Sequence, residues 1–349
     1  MLSGVPQGSI LGPILFVLFI NDLPLGLSTG TSLSLYADDT KIWRSIKCDQ
    51  DQEILQADIS YLQDWASQNK MNFHLKKCKV LSLNYKPSPL SGIFPEFLLC
   101  FEYFLGQKPL LFEESEKDLG VLMNVKFNFS DHCTNIISKA NQKFGLTKRT
   151  CAFVNDVKRR RVLYLTLVRS QFEHCSPIWR PSSKTVLDKF EAFQKKCIKW
   201  ILNEVDTSYF SYFNYIRKCR EVSILPLAQK FDLNDLVLFH KIVYHLIPIE
   251  LPQYLSFYDG NSRLRSCHHD KLSFICTLQP KGTSTELLDK SFFYRTHSSW
   301  NHLPLDIREI TCNKMFKNKV TEHLWSQLLL TTDDPENVGR GDFELLGSQ

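Results

Sequence analysis

The stretch Ser32-Leu33-Ser34-Leu35-Tyr36-Ala37-Asp38-Asp39-Thr40-Lys41-Ile42-Trp43 decides how this chain is read. Ser32 to Tyr36 alternates polar and apolar residues, the period-two pattern of a half-buried strand. Ile42-Trp43 opens a second apolar stretch, so the segment reads as a strand–turn–strand hairpin with Asp38-Asp39 at its tip. Two adjacent carboxylates on a tight turn can face the same space. Hard divalent cations such as Mg²⁺ take oxygen ligands from one or two carboxylates plus phosphates. Two-metal phosphoryl transfer needs such a platform, because the ions hold both the attacking and the leaving oxygen. Asp is also favoured in turns for local hydrogen bonding, so the pair alone leaves a metal platform and an ordinary turn both open.

Upstream lies Ser3-Gly4-Val5-Pro6-Gln7-Gly8-Ser9, a loop that opens an apolar helix of roughly Leu11 to Asp22, closed by Pro24 and Gly26. A Gly-containing loop at a helix start exposes free backbone N–H groups, a good place for a nucleotide's phosphate or sugar. Gln7 offers a donor and an acceptor, and Gly8 permits close backbone approach. Most such loops are only turns. Downstream, Ile54, Leu55, Ile59, Leu62 and Trp65 recur at helical spacing, so Gln52 to Ser67 reads as an amphipathic helix. Lys79–Asn84, Phe97–Phe104 and Leu119–Met123 read as short strands, with a loop at Lys86-Pro87-Ser88-Pro89. From about His132 to Leu246 the pattern is mostly helical, including Arg161–Phe172 and Leu187–Ile201. Pro248 and Pro252 break it. Leu251–Glu286 is irregular, Cys312–Leu330 is amphipathic, and the polar, acidic Thr331–Gln349 reads as a disordered tail.

Composition is that of a globular protein: of 349 residues, 43% are hydrophobic and 23% charged, and 25 Phe can fill a sizeable core. The net charge is only +5, but it is unevenly spread. Lys139 to Lys199 holds fifteen Lys/Arg against four acids, an excess that points to a polyanion partner or to a solvated helical face. Eleven scattered cysteines without a C-x-x-C pair read as reduced intracellular thiols. Ile10–Ile20 is too short to span a bilayer and holds Gly12 and Pro13, so neither a signal peptide, a transmembrane segment nor a membrane anchor is expected. Cys267-His268-His269 with Cys276 lacks the paired spacing of a structural zinc site, and a surface loop is the favoured reading there.

Taken in order, Ser3 to Ser9, Leu11-Gly12-Pro13, Asn21-Asp22-Leu23-Pro24 and Tyr36-Ala37-Asp38-Asp39 resemble motifs B and C in the palm of reverse transcriptases of non-long-terminal-repeat (LINE) retrotransposons. Trp65 with Met71–Lys79 looks like motif D, and Lys117-Asp118-Leu119-Gly120-Val121 looks like the turn before the primer grip. Leu163-Tyr164, Leu167–Ser170, Trp179 and Phe190-Glu191-Ala192-Phe193-Gln194 are similar to the thumb and downstream region of jockey-like and CR-type elements. Phe293–Thr296, Trp300-Asn301-His302-Leu303-Pro304 and Ile307-Arg308 resemble their extreme C-terminal region. One departure stands in motif D, where Phe73-His74 replaces the usual Phe-Asn.

The resemblance implies an α+β fold: a partial polymerase palm, an antiparallel sheet with helices, over 1–130. A helical, basic thumb or connection follows over 131–250, then a C-terminal region over 251–330 and a tail over 331–349. It implies that Asp38 and Asp39 are two of three palm carboxylates and hold two Mg²⁺ (or Mn²⁺) ions, Asp38 the more committed. Gln7 and Gly8 would line nucleotide and template, Tyr36 and Ala37 would pack beside the catalytic turn, and Lys77 would protonate the leaving pyrophosphate. Lys158, Arg159, Arg160, Arg161 and Arg169 are the expected nucleic-acid contacts within the basic stretch. The implied partners are an RNA template, a DNA primer or target, and dNTPs, in a nuclear and cytoplasmic ribonucleoprotein. The family's third carboxylate lies upstream of the Pro-Gln-Gly loop, so these residues on their own are expected not to polymerise. A non-catalytic nucleic-acid-binding remnant and the product of a decayed reading frame are the alternatives.

Overall fold

The computed structural model describes residues 8–83, 101–204, 212–258, 271–278 and 285–332. Gln7, the loop at 86–89, Cys267-His268-His269 and residues 333–349 lie outside the described residues. The chain divides into two compact units. The first runs to Asp118 and takes in Met123–Asn128; the second consists of Leu119–Leu122 and the chain from Phe129 on.

In the first unit, α1 (Leu11–Ile20) is followed by a 3₁₀ turn at Leu23–Gly26, β1 (Thr31–Tyr36), β2 (Asp39–Arg44) and the long α2 (Asp49–Gln68). The alternation of β1 places Leu33 and Leu35 on one face, which together with Ile42 of β2 packs against Ile20, Leu23, Leu62, Trp65 and Ala66. β3 (Lys79–Val80), β4 (Phe104–Leu105), β5 (Lys108–Pro109) and β6 (Leu111–Phe112) are two-residue strands. β3 pairs β6 in parallel and β4 pairs β5 antiparallel. A second small core of Ile59, Tyr103 and Leu105 lies nearby, with Phe73 packed against both.

The chain leaves this unit through β7 (Ser115–Asp118) and β8 (Val121–Asn124). The expected strand at Leu119–Met123 therefore starts two residues late. Leu119 and Gly120 both carry positive φ (43° and 92°), the sign pattern of a two-residue hairpin turn.

The second unit is mostly helical: α3 (Ser130–Thr150), α4 (Val157–Leu163), α5 (Ser176–Trp179), α6 (Lys184–Ile201), α7 (Tyr212–Glu221) and α8 (Leu227–Val243). Arg161–Phe172, expected as one helix, changes register twice, becoming π-helical at Tyr164–Val168 and 3₁₀ at Arg169–Phe172. α3 buries Cys133, Ile136, Ala140, Phe144 and Thr147, a stripe at three- and four-residue spacing. The core is aromatic. Phe172 lies edge-on to Phe190 at 5.1 Å and to Phe193 at 5.5 Å, and Phe190 meets Phe231 at 5.7 Å.

Polar groups on α6 fasten this core. The Glu191 carboxylate accepts the Ala228 amide at 2.8 Å, satisfying a free N–H at the start of α8, and also the Tyr215 hydroxyl. Burial pushes the Glu191 carboxyl up, against the Tyr215 and Ala228 hydrogen bonds. One turn on, Gln194 accepts from the Tyr164 hydroxyl at 2.9 Å and donates to the Tyr215 hydroxyl at 2.9 Å and the Leu225 carbonyl at 3.0 Å.

β9 (Leu255–Phe257) and β10 (Phe274–Cys276) pair antiparallel inside the stretch expected to be irregular. α9 (Thr285–Lys290), α10 (Phe292–Asn301), α11 (Leu305–Arg308) and α12 (Asn313–Thr332) complete the unit. Trp300 is fully buried against Phe239 and Phe316, and its indole N–H reaches the Leu272 carbonyl at 2.9 Å. The Asn301 amide accepts from and donates to the Phe274 backbone, both at 2.8 Å, so the Trp-Asn pair clamps β10. Asp235 of α8 pairs with Arg180 and Arg295, each at 2.9 Å, and Arg180 also pairs with Asp232. Burial works against the Arg180 charge, but the two carboxylates outweigh it and hold its pKa up.

The fold is thus a mixture of helices and small sheets. The described strands pair only two by two. No helix among the described residues is long and apolar enough to cross a membrane.

Candidate active site and nucleic-acid interface

β1 and β2 run in unbroken antiparallel register from Thr31↔Arg44 to Tyr36↔Asp39, leaving Ala37 and Asp38 as the turn. Ala37 has φ +51°, and Asp38 is not among the residues with positive φ. That is the sign pattern of a type II′ turn, whose first position favours glycine, so an alanine there holds some strain. The inward alternation of Leu33, Leu35 and Ile42 turns the other face outward, and Tyr36, Asp39, Lys41 and Trp43 are exposed on it. Asp38 is exposed at the tip beside Asp39.

The base of this hairpin is anchored by polar groups. Arg44 bonds Asp51 of α2 at 3.1 Å, the Thr29 carbonyl at 2.9 Å and the Thr31 hydroxyl at 3.1 Å. The Lys47 amide, and then Arg44 and Cys48, hold the Asp51 carboxyl below its usual range against a burial effect. Buried Asp58 of α2 accepts both the amide and the hydroxyl of Ser28, at 2.9 and 2.8 Å, just before β1 begins. Lys41, two positions past Asp39, is ion-paired with Asp118. Of these anchors only Asp118 stood out in the sequence, and that as part of a turn motif. Asp58 did leave a signal there, since it interrupts the apolar stripe of Leu55, Ile59 and Leu62.

The structure joins Tyr36, Ala37, Asp38 and Asp39 in one hairpin and places the other candidates on separate segments. Gly8 has φ +82°, and among the described residues no atom lies within 4 Å of where a Cβ would stand. Next to it the Ser9 hydroxyl accepts the Gly12 amide at 3.0 Å and steadies the start of α1. Lys77 is exposed in the 3₁₀ turn Leu75–Lys77. No hydrogen bond or ion pair among the described residues links Lys77 to the hairpin. Among the described residues no three His, Cys, Asp or Glu side chains form a metal cage. Two neighbouring exposed carboxylates instead suit a hard cation that keeps its waters and shares substrate phosphates, the usual manner of Mg²⁺.

The five basic candidates separate sharply. Lys158 and Arg159 are exposed on α4. Arg160 is buried, donating to the Val154 carbonyl at 2.5 Å, the Trp200 carbonyl at 2.6 Å and Asn155 at 3.0 Å, with its guanidinium 5.0 Å from the Trp200 ring. Arg161 donates to the Val222 carbonyl at 2.6 Å and the Ser223 carbonyl at 3.2 Å. Arg169 is buried and faces Glu173 at 3.5 Å. Three of the four guanidinium groups are thus turned into the fold.

Residues 2–143 match the family model described as reverse transcriptase (RNA-dependent DNA polymerase). The chain is 23% identical over 211 residues to the probable RNA-directed DNA polymerase from transposon X-element of Drosophila melanogaster, covering 57% of this chain and 22% of that one. It is 24% identical over 213 residues to the RNA-directed DNA polymerase from mobile element jockey of Drosophila funebris, with the same two coverages. Against the probable RNA-directed DNA polymerase from transposon BS of Drosophila melanogaster the figures are 25% over 195 residues, 51% of this chain and 19% of that one. The chain therefore spans about a fifth of the length of these curated relatives. No solved structure matches it. The hairpin with its paired carboxylates falls inside the matched residues, and over that stretch the chain is similar to reverse transcriptases of non-long-terminal-repeat retrotransposons.

Proposed function

We propose that the first unit is the nucleotide-facing part of a polymerase palm and that the helices of the second act as its thumb, holding template RNA and primer. The boundaries in this reading are 1–130 for the palm, 131–250 for the thumb, and 251–330 for the C-terminal region. The observation that carries it is the pair of exposed carboxylates at the tip of an anchored hairpin, inside the residues that match the polymerase family.

Asp38 and Asp39 would hold Mg²⁺ or Mn²⁺ together with the triphosphate of a dNTP. Bound there, the ions neutralise phosphate charge and support attack by the primer hydroxyl. The rest is positioning. The strained Ala37 turn aims the carboxylates, Tyr36 borders them, and the inward packing of Leu33, Leu35 and Ile42 keeps the hairpin from shifting register. Gly8, with no neighbour on its Cβ side among the described residues, lets a nucleotide or template approach the backbone, with Gln7 beside it. Lys77 would donate a proton to the leaving pyrophosphate, a general-acid role open to a lysine ammonium.

Mn²⁺ titration in the presence of a dNTP, followed by electron paramagnetic resonance, tests this reading. The Asp38→Asn/Asp39→Asn chain is expected to lose the nucleotide-dependent Mn²⁺ signal. Equal Mn²⁺ binding by both chains overturns it. The exposed Lys158 and Arg159 favour a second reading, in which the helical unit binds nucleic acid without chemistry. That binding would weaken steeply with salt.

A further inference from the structure

The loop between α3 and α4 borders an open cavity of about 440 Å³ lined by Cys151, Val154, Lys158, Arg159, Val162 and Leu163. Its surface is almost wholly apolar, so Lys158 and Arg159 line it with their aliphatic stems. No carboxylate among the described residues lines it, and the nearby Asp156 is occupied in accepting the Arg159 amide at 2.8 Å. The walls are fixed from behind. Arg160 ties the Val154 carbonyl and the Asn155 side chain to the Trp200 carbonyl, and Asn203 donates to the Asn155 carbonyl at 2.7 Å. The hollow is shallow and wide open, a place where the face of a flat group can rest against apolar side chains. From the same loop Phe153 stands 82% exposed, and Val162 at the cavity is 54% exposed.

An apolar hollow with cations at its rim and an exposed aromatic ring beside it suits one kind of polyanion. In a duplex the base faces are stacked away and only phosphates and groove edges are offered. In a single strand an unstacked base can leave the backbone and bury its face while the phosphates stay on cations. We infer that this cavity docks a single-stranded nucleic acid, with one base against Val154, Val162 and Leu163, its flanking phosphates on Lys158 and Arg159, and a neighbouring base on Phe153. This deepens, and rests on, the reading of the second unit as a nucleic-acid-binding surface.

Fluorescence anisotropy of the full chain with labelled oligo(dT), alone and annealed to oligo(dA), tests it. The single strand is expected to bind about tenfold tighter than the duplex, as base stacking on protein typically supplies. Val162→Gln, which fills the hollow without adding charge, and Phe153→Ala are each expected to remove most of that preference while leaving duplex binding unchanged. Lys158→Ala/Arg159→Ala is expected to weaken both ligands. Thermal melting of each variant at the parent midpoint shows that the fold is kept. Equal effects of Val162→Gln on the two ligands, or none on either, overturn the cavity's role while charge-only binding stands. Competition by polyglutamate as strong as by oligo(dT) overturns the single-strand assignment. Failure of both DNA ligands to bind removes the nucleic-acid reading itself.

Discussion

The two units treat their apolar side chains in opposite ways. In the second, Trp179, Phe172, Phe190, Phe231, Phe239 and Trp300 are all fully buried, and the polar groups among them, Glu191 and Gln194, are hydrogen-bonded. In the first, α1 buries only Gly12 and Ile20, while Leu11, Ile14, Leu15, Val17 and Leu18 are exposed. Contiguous exposed apolar surface on that scale is unusual on a surface that meets only water. Interior packing holds the second unit in one arrangement. The hairpin that carries the carboxylates depends instead on a thin core and a few polar anchors.

Hydrogen exchange read by mass spectrometry reports the units separately and can break this contrast. The largest effect is expected for Phe190→Ala, about 3–5 kcal/mol from lost burial and the cavity left behind. Exchange should accelerate across α3, α6 and α8 and stay unchanged in β1 and β2; acceleration in the hairpin as well would mean that the units are not independent. Asp58→Ala should cost about 1–3 kcal/mol, because the Ser28 amide and hydroxyl lose their acceptor. Here the exchange should rise in β1 and β2 alone.

Acid sharpens the contrast from the other side. Burial lowers the pKa of His240, His297 and His323 below the ordinary 6.5, all in the second unit. The unfolded chain then binds protons more readily than the folded one as pH falls below that value. The second unit's stability is therefore full above about pH 6.5 and declines as pH drops through the lower folded-state values. Thermal melting from pH 7.5 to 5 should show the decline, and His240→Gln should flatten it. The smallest effect belongs to Leu18→Gln on exposed α1, expected within about 0.5 kcal/mol by urea denaturation. A loss of several times that would show Leu18 to be buried in solution.

The hairpin was legible because period-two alternation and a two-residue turn are both written locally, at Ser32–Tyr36 and Ala37-Asp38. Helix α2, expected over Gln52–Ser67, appears over Asp49–Gln68 for the same reason. The basic stretch was legible only as a charge count. Which guanidinium groups turn inward depends on partners far along the chain, such as Trp200 for Arg160 and Val222 for Arg161. Part of that was available: Arg160 falls in phase with Tyr164 and Val168, both fully buried. The two- and three-residue strands have no period to detect, and β9 finds β10 only across a long insertion. The anchors Arg44 and Asp58 act on residues of the neighbouring loop and helix, a pairing that spacing alone does not specify.

The arginine pair around Asp235 has a consequence for the order of events during synthesis. Arg180 emerges from the ribosome before Asp235, but Arg295 follows 60 residues later. At roughly 5–20 residues per second, that interval lasts about 3–12 s. Throughout it, α8 exists without the helix bearing Trp300, and Phe239 and His240 lack their Trp300 and Phe316 neighbours. The nascent chain must therefore wait, with a sticky aromatic face in view, for its own distant end. A chaperone that recognises exposed aromatics would find its target here, in the half-built helical unit.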